Sequence, residues 1–158
     1  MLKIYPVKTN KDIDVVRSIL GEYLAWRESQ KSISPQELQS FRKQLVDLPA
    51  EFAEPNGCLL LAKYREQPVG CVGLRDLNDG ICEMKRLFVK PEWRGRGIGK
   101  SLAKEVIKKA MTIGYGCMRI DTFDDAAKTL YTSLGFEKIK PYRHNPIEGV
   151  VFMELKLK

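Results

Sequence analysis

The segment Arg94-Gly95-Arg96-Gly97-Ile98-Gly99-Lys100 decides how the chain around it is interpreted. It follows a predicted strand at 81–89 and precedes a predicted helix that ends near Ile113. The first turn of a helix has unpaired N–H groups and a partial positive charge, and glycines let an anion approach that backbone closely. The side chains of Arg94, Arg96 and Lys100 add positive charge at the same place. The segment is therefore predicted to bind an anion and is suited to a pyrophosphate.

Other phosphate-binding loops have different spacings. The Rossmann pattern needs its second and third glycines further apart, a parallel strand before them and an acidic residue on the next strand. The P-loop needs a closing Gly-Lys-Ser/Thr, whereas Lys100-Ser101 follows Gly99 with the upstream glycine at the wrong distance. A flexible glycine-rich turn with incidental arginines is the remaining alternative, and the position between a strand and a helix argues against it.

Length and charge narrow the range of functions. The chain has 158 residues, of which 44% are hydrophobic and 30% charged, which predicts a single domain over residues 1–158. A net charge of +7 suits nucleic acid, a membrane surface or a phosphate-bearing cofactor. No block of consecutive basic residues stands out, so no nucleic-acid partner is expected. Because neither a leader pattern nor a long apolar run is visible, no membrane association and a cytoplasmic location are expected.

The cysteines and the histidine argue against disulfides and metal. Cys58, Cys71, Cys82 and Cys117 form no CxxC pair, and three of them lie in apolar runs with strand character. They are therefore expected to be small buried side chains. His144 is the only histidine and the ligand spacings do not fit zinc, so no metal site is expected.

Hydrophobic periodicity and turn signals predict the order β-α-α-β-β-β-α-β-α-β-β. The fold class is α/β, with a mixed, mostly antiparallel central sheet and helices on both faces. Strict alternation along the strand at 81–89 predicts that Cys82, Met84 and Arg86 share one face while Glu83, Lys85 and Leu87 share the other. The strands are predicted at 2–7, 58–64, 69–74, 81–89, 118–120, 136–139 and 150–157, and the helices at about 10–28, 35–47, 100–113 and 125–134.

The chain resembles the GNAT superfamily of N-acetyltransferases. Arg94-x-x-Gly97-x-Gly99 matches the Arg/Gln-x-x-Gly-x-Gly/Ala signature of that superfamily. The preceding Arg86-Leu87-Phe88-Val89-Lys90-Pro91 is similar to its fourth strand and the exit from it. The later Ala127-x-x-Leu130-Tyr131-x-x-Leu134-Gly135-Phe136 is similar to its second cofactor motif. The resemblance covers nearly the whole chain, including the order of elements.

The resemblance implies acetyl-CoA as co-substrate. Backbone groups of Leu87 and Val89 would pair with the pantetheine arm, and the amides of 95–100 would bind the pyrophosphate. Asp124 departs from the pattern, because relatives often carry a cofactor-binding Asn there, and an Asp is expected to cap the following helix. The cofactor-binding residues implied are Leu87, Phe88, Val89, Arg94, Gly95, Arg96, Gly97, Ile98, Gly99, Lys100, Asp124 and Tyr131.

Two catalytic roles follow from the resemblance. Tyr131 would act as general acid and protonate the departing thiolate, although a lone tyrosine at helical spacing is more often a packed aromatic. Glu83 would act as general base toward the attacking amine, directly or through water. A surface ion pair between Glu83 and Lys85 explains the same residues, and both interpretations stay open.

The resemblance also bears on the acceptor amine. A small amine or amino-acid-like acceptor is expected ahead of a protein or peptide amine, and a non-catalytic acyl-CoA-binding module is the alternative to an enzyme. The resemblance implies an acceptor site formed by the first two helices and the loop before the last strand. Dimers are common in the superfamily, so a homodimer is compatible with the resemblance. The expected acceptor residues are Tyr23, Arg27, Arg143, His144 and Asn145, with ordinary loop polarity as the alternative.

Overall fold

Seven strands form one sheet in the computed structural model, which describes residues 1–158. Their order across the sheet is β1-β2-β3-β4-β5-β7-β6, and β4–β5 is the parallel pair among antiparallel neighbours. The predicted element order and the mixed, mostly antiparallel sheet are confirmed. The strands are β1 (Leu2–Pro6), β2 (Cys58–Tyr64), β3 (Gln67–Asp76), β4 (Ile81–Val89), β5 (Cys117–Thr122), β6 (Glu137–Ile139) and β7 (Val151–Lys156).

Four α-helices pack on the sheet, and three of them begin with a side-chain cap. Thr9, Ser34 and Asp124 each accept a hydrogen bond from a backbone N–H three residues further along. None of the helices combines the length and the apolar character needed to cross a bilayer. The helices are α1 (Asn10–Ser29), α2 (Pro35–Asp47), α3 (Ile98–Ile113) and α4 (Asp125–Ser133), with single 3-10 turns at Ala50–Phe52 and Pro91–Trp93.

Two hydrophobic cores lie on opposite faces of the sheet. One is built around α3, where Leu102 and Val106 are fully buried, and it includes Tyr131 of α4. The other is built around α1 and α2, where Val16 and Phe41 are fully buried. The predicted placement of helices on both faces is thus confirmed.

A bulge interrupts β4 and overturns the predicted alternation. Cys71 is opposite Phe88 and Gly73 is opposite Lys85, so two residues of β4 face one of β3 between these pairs. Arg86, one of the two, has φ of 61°, in the left-handed region. It stacks on Phe41 of α2, while Met84 belongs to the core around α3. The prediction that Arg86 shares a face with Met84 is therefore wrong, because the bulge turns Arg86 to the side of Lys85.

The strands β4 and β5 are paired only at their beginnings. Their parallel register runs from Ile81↔Cys117 to Glu83↔Arg119, although β4 continues to Val89 and β5 to Thr122. Beyond Glu83 the two strands separate and leave a gap in the sheet.

Two glycines of β3 lie in close contact with neighbouring segments. A Cβ on Gly70 would lie 2.7 Å from the carbonyl oxygen of Phe88, and one on Gly73 would lie 2.7 Å from the ring of Phe52. Gly70 and Gly73 thus mark two positions where neighbouring atoms approach the backbone of β3 closely. Cys58, Cys71 and Cys82 are buried in β2, β3 and β4, as predicted, whereas Cys117 of β5 is half-buried.

We expect Gly70→Ala to lower the free energy of unfolding by about 1–3 kcal/mol, because the new methyl group overlaps a backbone carbonyl that cannot rotate away. Gly21→Ala is the matched control, since Gly21 is exposed within α1 and a Cβ added there would meet no atom within 4 Å. That change should raise stability by about 0.5–1 kcal/mol through helix propensity. Urea denaturation of both variants measures the two effects. Equal midpoints for Gly70→Ala and the parent would contradict the close approach.

Candidate active site

A cavity of about 420 Å³ lies where β4 and β5 separate. Residues 84–89 form one wall, and the end of β5 together with the start of α4 forms the opposite wall. α1 closes one side with Tyr23, Trp26 and Arg27. Residues of the 93–99 segment line the cavity at the beginning of α3. The strand separation therefore produces a cleft that can hold an extended ligand between the two strands. We call this cavity the cleft.

The N-terminus of α3 is available to an anion. Gly97 occupies the N-cap position with φ of 79°, and no side chain caps this helix. No acidic residue lies in its first turn, in contrast to α1, α2 and α4. The free amides of this turn and its partial positive charge can therefore bind a phosphate or pyrophosphate group. Gly95, with φ of 80°, also requires the left-handed conformation that glycine adopts readily.

The three basic side chains of residues 94–100 differ in their position relative to the cleft. Arg94 donates from Nε to the carbonyl oxygen of Val89 at 3.0 Å, and its guanidinium lies 5.3 Å from the ring of Phe88. Arg96 stacks on Trp93 at 4.5 Å. Arg94 lines the cleft, whereas Arg96 and Lys100 are exposed beside it.

Tyr131 lies on the wall of the cleft that α4 forms. Its side chain is buried, 6% exposed, and tilted against Phe136 with ring centroids 5.4 Å apart. Burial raises the pKa of Tyr131, and the nearby charges of Asp121 and Asp124 act in the same direction. The phenol is thus protonated at neutral pH and can donate a proton or a hydrogen bond into the cleft.

The sequence model of the Acetyltransferase (GNAT) family matches residues 20–136, about three quarters of the chain. The chain belongs to the GNAT family. GNAT proteins are acyltransferases, and the names of similar proteins are consistent with this activity. An uncharacterised N-acetyltransferase of Schizosaccharomyces pombe is 36% identical over 99% of this chain and 95% of its own length.

Two further comparisons concern a partly matching relative and a solved structure. The N-acetylaspartate synthetase of Xenopus tropicalis is 32% identical over 61% of this GNAT chain, which matches 37% of that protein. The PaiA N-acetyltransferase of Thermoplasma acidophilum, solved in complex with coenzyme A, superposes with a TM-score of 0.76. At 19% identity over 99% of both chains, that structure is similar in fold.

The cleft brings together most of the residues that the GNAT resemblance assigned to the cofactor. Asp124 also lines it, but its carboxylate accepts from the N–H of Ala127 at 3.1 Å, so it caps α4 as the sequence indicated. Arg96 and Lys100 do not line the cleft. The predicted cofactor residues that do are Leu87, Phe88, Val89, Arg94, Gly95, Gly97, Ile98, Gly99, Asp124 and Tyr131.

Glu83 lies behind the cleft wall rather than in it. Its side chain is fully buried and does not line the cleft. Oε1 accepts from Arg75 Nε at 2.7 Å, and Oε2 accepts from the hydroxyl of Tyr142 at 2.5 Å. Arg143 and Lys85 approach the carboxylate at 3.5 and 4.0 Å. The surface ion pair considered for Glu83 is wrong, because Glu83 is the buried centre of an ionic cluster.

A second, polar cavity of about 490 Å³ adjoins the cleft. None of its lining residues is hydrophobic, and Glu37, Lys85, Arg86 and Asn145 line both cavities. We call this cavity the polar chamber. It extends between α2, the bulged part of β4 and the loop before β7.

The five predicted acceptor residues divide between the cleft and the chamber. Tyr23 lines the cleft and stacks on Phe88 at 5.0 Å. Arg27 also lines it, but both of its terminal nitrogens bind Glu37, at 2.8 and 2.9 Å, so its charge is already paired. Arg143 and His144 line the chamber, and Asn145 lines both cavities.

Sequence reasoning missed the side chains at the junction of the two cavities. Lys85 and Arg86 were assigned to opposite faces, whereas both line this junction. Asp121 of β5 was not singled out, yet it accepts from Arg143 at 2.7 Å and from Asn145 at 3.0 Å. A pair of basic residues in the middle of a buried strand was the available signal for Lys85 and Arg86.

Burial changes the ionisation of these two cations. It lowers the pKa of Lys85 to about 7, with a further decrease from Arg86 that Glu83 partly offsets. Burial likewise lowers the pKa of Arg86 to about 10. Lys85 therefore changes charge near neutral pH, while Arg86 stays charged.

We expect the amine of Lys85 to titrate with a midpoint near pH 7, charged below and neutral above. Isotope-edited NMR of the lysine Cε and Nζ nuclei between pH 5 and 11 measures it. Lys85→Met identifies the resonance by its loss. A midpoint near the ordinary lysine value of about 10.4 would contradict the desolvated environment described here.

Proposed function

We propose that the protein transfers the acetyl group of acetyl-CoA to the amine of a small, amino-acid-like acceptor. One observation carries this proposal: a continuous cleft connects the uncapped N-terminus of α3 with the hydroxyl-bearing side chain of Tyr131. It thereby offers an anion site and a proton donor to the two ends of one extended ligand. The name of the Xenopus relative, an N-acetylaspartate synthetase, supports an amino-acid acceptor.

The lining of the cleft fits the two halves of acetyl-CoA. The amides at the start of α3 would hold the pyrophosphate, since no side chain competes for them. The unpaired edge of β4 beyond Glu83 would hydrogen-bond the pantetheine amides, as an added strand would. Leu87 and Val89 line this edge.

The chain's own groups support direct transfer in a ternary complex. Holding the amine and the thioester in one cleft makes the attack effectively intramolecular. As the nitrogen forms its bond to the acetyl carbon, the carbon–sulfur bond breaks, and Tyr131 gives its proton to the departing thiolate. The amine proton leaves to solvent, and Tyr131, which lines the cleft, is reprotonated from solvent that enters the cleft after the products leave. Leu87, which has no partner on β3, would donate its N–H to the acetyl oxygen.

Glu83 takes a supporting part in this proposal. Its carboxylate is enclosed by Arg75, Tyr142 and Arg143 and does not reach the cleft. We therefore assign it the positioning of Lys85 and Arg143 rather than direct contact with the acceptor amine.

Gly97→Glu should weaken acetyl-CoA binding at least about 30-fold, because a carboxylate above the first turn of α3 repels the pyrophosphate. Gly97→Asn is the matched control, since Asn tolerates the left-handed conformation and adds no charge. Isothermal titration of acetyl-CoA into both variants and the parent measures the difference. If the parent does not bind acetyl-CoA, the proposed function fails. Equal affinity in both variants would exclude the α3 site.

Tyr131→Phe should lower kcat by about 100-fold while the affinity for acetyl-CoA stays within about twofold, because only the proton donor is removed. Tyr5→Phe, on the far edge of the sheet, is the control and should leave kcat unchanged. Thiol release with an amine acceptor provides the rate. An unchanged kcat in Tyr131→Phe would reduce Tyr131 to a packing role, and a parent that binds acetyl-CoA without turnover with any amine would be a binding module.

A further inference from the structure

The bulge in β4 places two cations side by side between the cleft and the polar chamber. The side chains of Lys85 and Arg86 are 9% and 6% exposed, and both line both cavities. A molecule that occupies the chamber and extends toward Tyr131 must pass them. Their position makes them the natural contact for the part of an acceptor that does not react.

The chamber has an excess of positive charge. Its lining includes four lysine or arginine side chains, one histidine (His144) and two carboxylates, Glu37 and Glu51. The cations are Arg75, Lys85, Arg86 and Arg143. Two of these are already bonded to carboxylates: Arg75 to Glu83 and Glu51, and Arg143 to Asp121.

Lys85 and Arg86 lack such close partners. No carboxylate lies nearer to Lys85 Nζ than Glu83 at 4.0 Å. The nearest carboxylate to Arg86 is Glu37 at 3.8 Å, and that residue is already bound in bidentate fashion by Arg27. Arg86 donates a hydrogen bond from Nε to the side-chain oxygen of Gln44 at 2.8 Å. The terminal nitrogens of its guanidinium therefore remain available to a ligand in the chamber. Buried cations without a hydrogen-bonded counter-ion are unfavourable. An anionic ligand would remove that cost.

We propose that the acceptor is an amino compound that carries a carboxylate, and that Lys85 and Arg86 bind this carboxylate while the amine extends into the cleft toward Tyr131. This inference rests on the proposed function and adds to it the residues that bind the non-reacting, anionic end of the acceptor. Arg143, whose Nε is buried without a partner, lies on the same chamber wall and can add a third donor.

Binding of the carboxylate is coupled to the proton on Lys85. Burial lowers the pKa of the free amine to about 7, and a carboxylate beside it raises that pKa in the complex. Affinity is therefore highest below pH 7 and falls as the pH rises above it. The charged or titratable groups around Lys85 are Glu83 and Arg86 of β4, Arg75 of β3, Asp121 of β5, Glu37 of α2, and Arg143 and His144 of the loop before β7.

The test compares acceptors that differ only in charge. Glycine, β-alanine, L-aspartate and L-glutamate are each assayed with acetyl-CoA. Each is compared with the analogue in which a carboxamide replaces a carboxylate. Putrescine is included as an amine that carries a second positive charge and no carboxylate. For the parent protein, kcat/KM with at least one carboxylate acceptor should be at least about tenfold higher than with the corresponding carboxamide, because one charge-assisted hydrogen bond is lost in the carboxamide. A preference for carboxamides or for putrescine overturns the inference and leaves the acetyltransferase intact. Failure of the parent to bind acetyl-CoA overturns both.

Substitution of Lys85 tests whether this residue causes the preference for a carboxylate acceptor. Lys85→Met should raise KM for the preferred carboxylate acceptor at least about tenfold and abolish its advantage over the carboxamide, with acetyl-CoA affinity unchanged. Lys108→Met is the matched control, because this exposed lysine lies on α3 across the sheet, and it should alter neither value. A carboxylate preference that survives Lys85→Met overturns the assignment to Lys85. If Lys85→Met does not fold, the pH series decides.

That series uses the parent saturated with CoA. Calorimetric titration of the preferred acceptor at intervals from pH 6 to 9 should show affinity falling by at least about threefold above pH 7, with proton uptake on binding. Constant affinity across the range would overturn the coupling to Lys85.

Discussion

The bulge at Arg86 is the constraint on which the arrangement of the site depends. With regular alternation, Arg86 would point into the core around α3, where no polar group could meet its charge. The bulge instead directs it to Phe41, 3.7 Å from its guanidinium, and to the amide oxygen of Gln44. A non-glycine residue with φ of 61° costs on the order of 1–2 kcal/mol, which these contacts offset. The strain therefore lies at the point where the strand faces both cavities.

A network of ion pairs links that point to the helices around it. Glu37 of α2 binds Arg27 of α1 in bidentate fashion and lies 3.8 Å from Arg86 of β4. On the other side of Lys85, Glu83 and Asp121 bind the loop before β7 through Arg143. Buried pairs of this kind add little net stability compared with apolar packing, but removing one partner costs about 3–5 kcal/mol. The network consequently fixes the geometry of the residues between the chamber and the cleft.

The parts predicted from sequence have local signals. The caps at Thr9, Ser34 and Asp124 and the glycines near α3 each depend on neighbours within a few residues, so the element order and the glycine-rich start of α3 could be predicted directly. The bulge depends instead on the register between two strands, and Arg86 carries no sequence mark of a left-handed conformation. For the same reason the burial of Glu83 was unpredictable: it requires Arg75, Tyr142 and Arg143 to converge on one carboxylate from distant parts of the chain.

The missing cap of α3 has a consequence for the lifetime of the folded chain. In its first turn no side chain accepts a hydrogen bond from the free amides and no acidic residue lies nearby. The other three helices each have a side-chain cap and an acidic residue at their N-terminus. A ligand that binds there supplies the missing acceptor atoms and so completes a structural element. Because such a ligand binds the folded state alone, its concentration shifts the folding equilibrium by mass action. An anionic ligand bound at this turn would therefore make the chain more resistant to local unfolding and proteolysis.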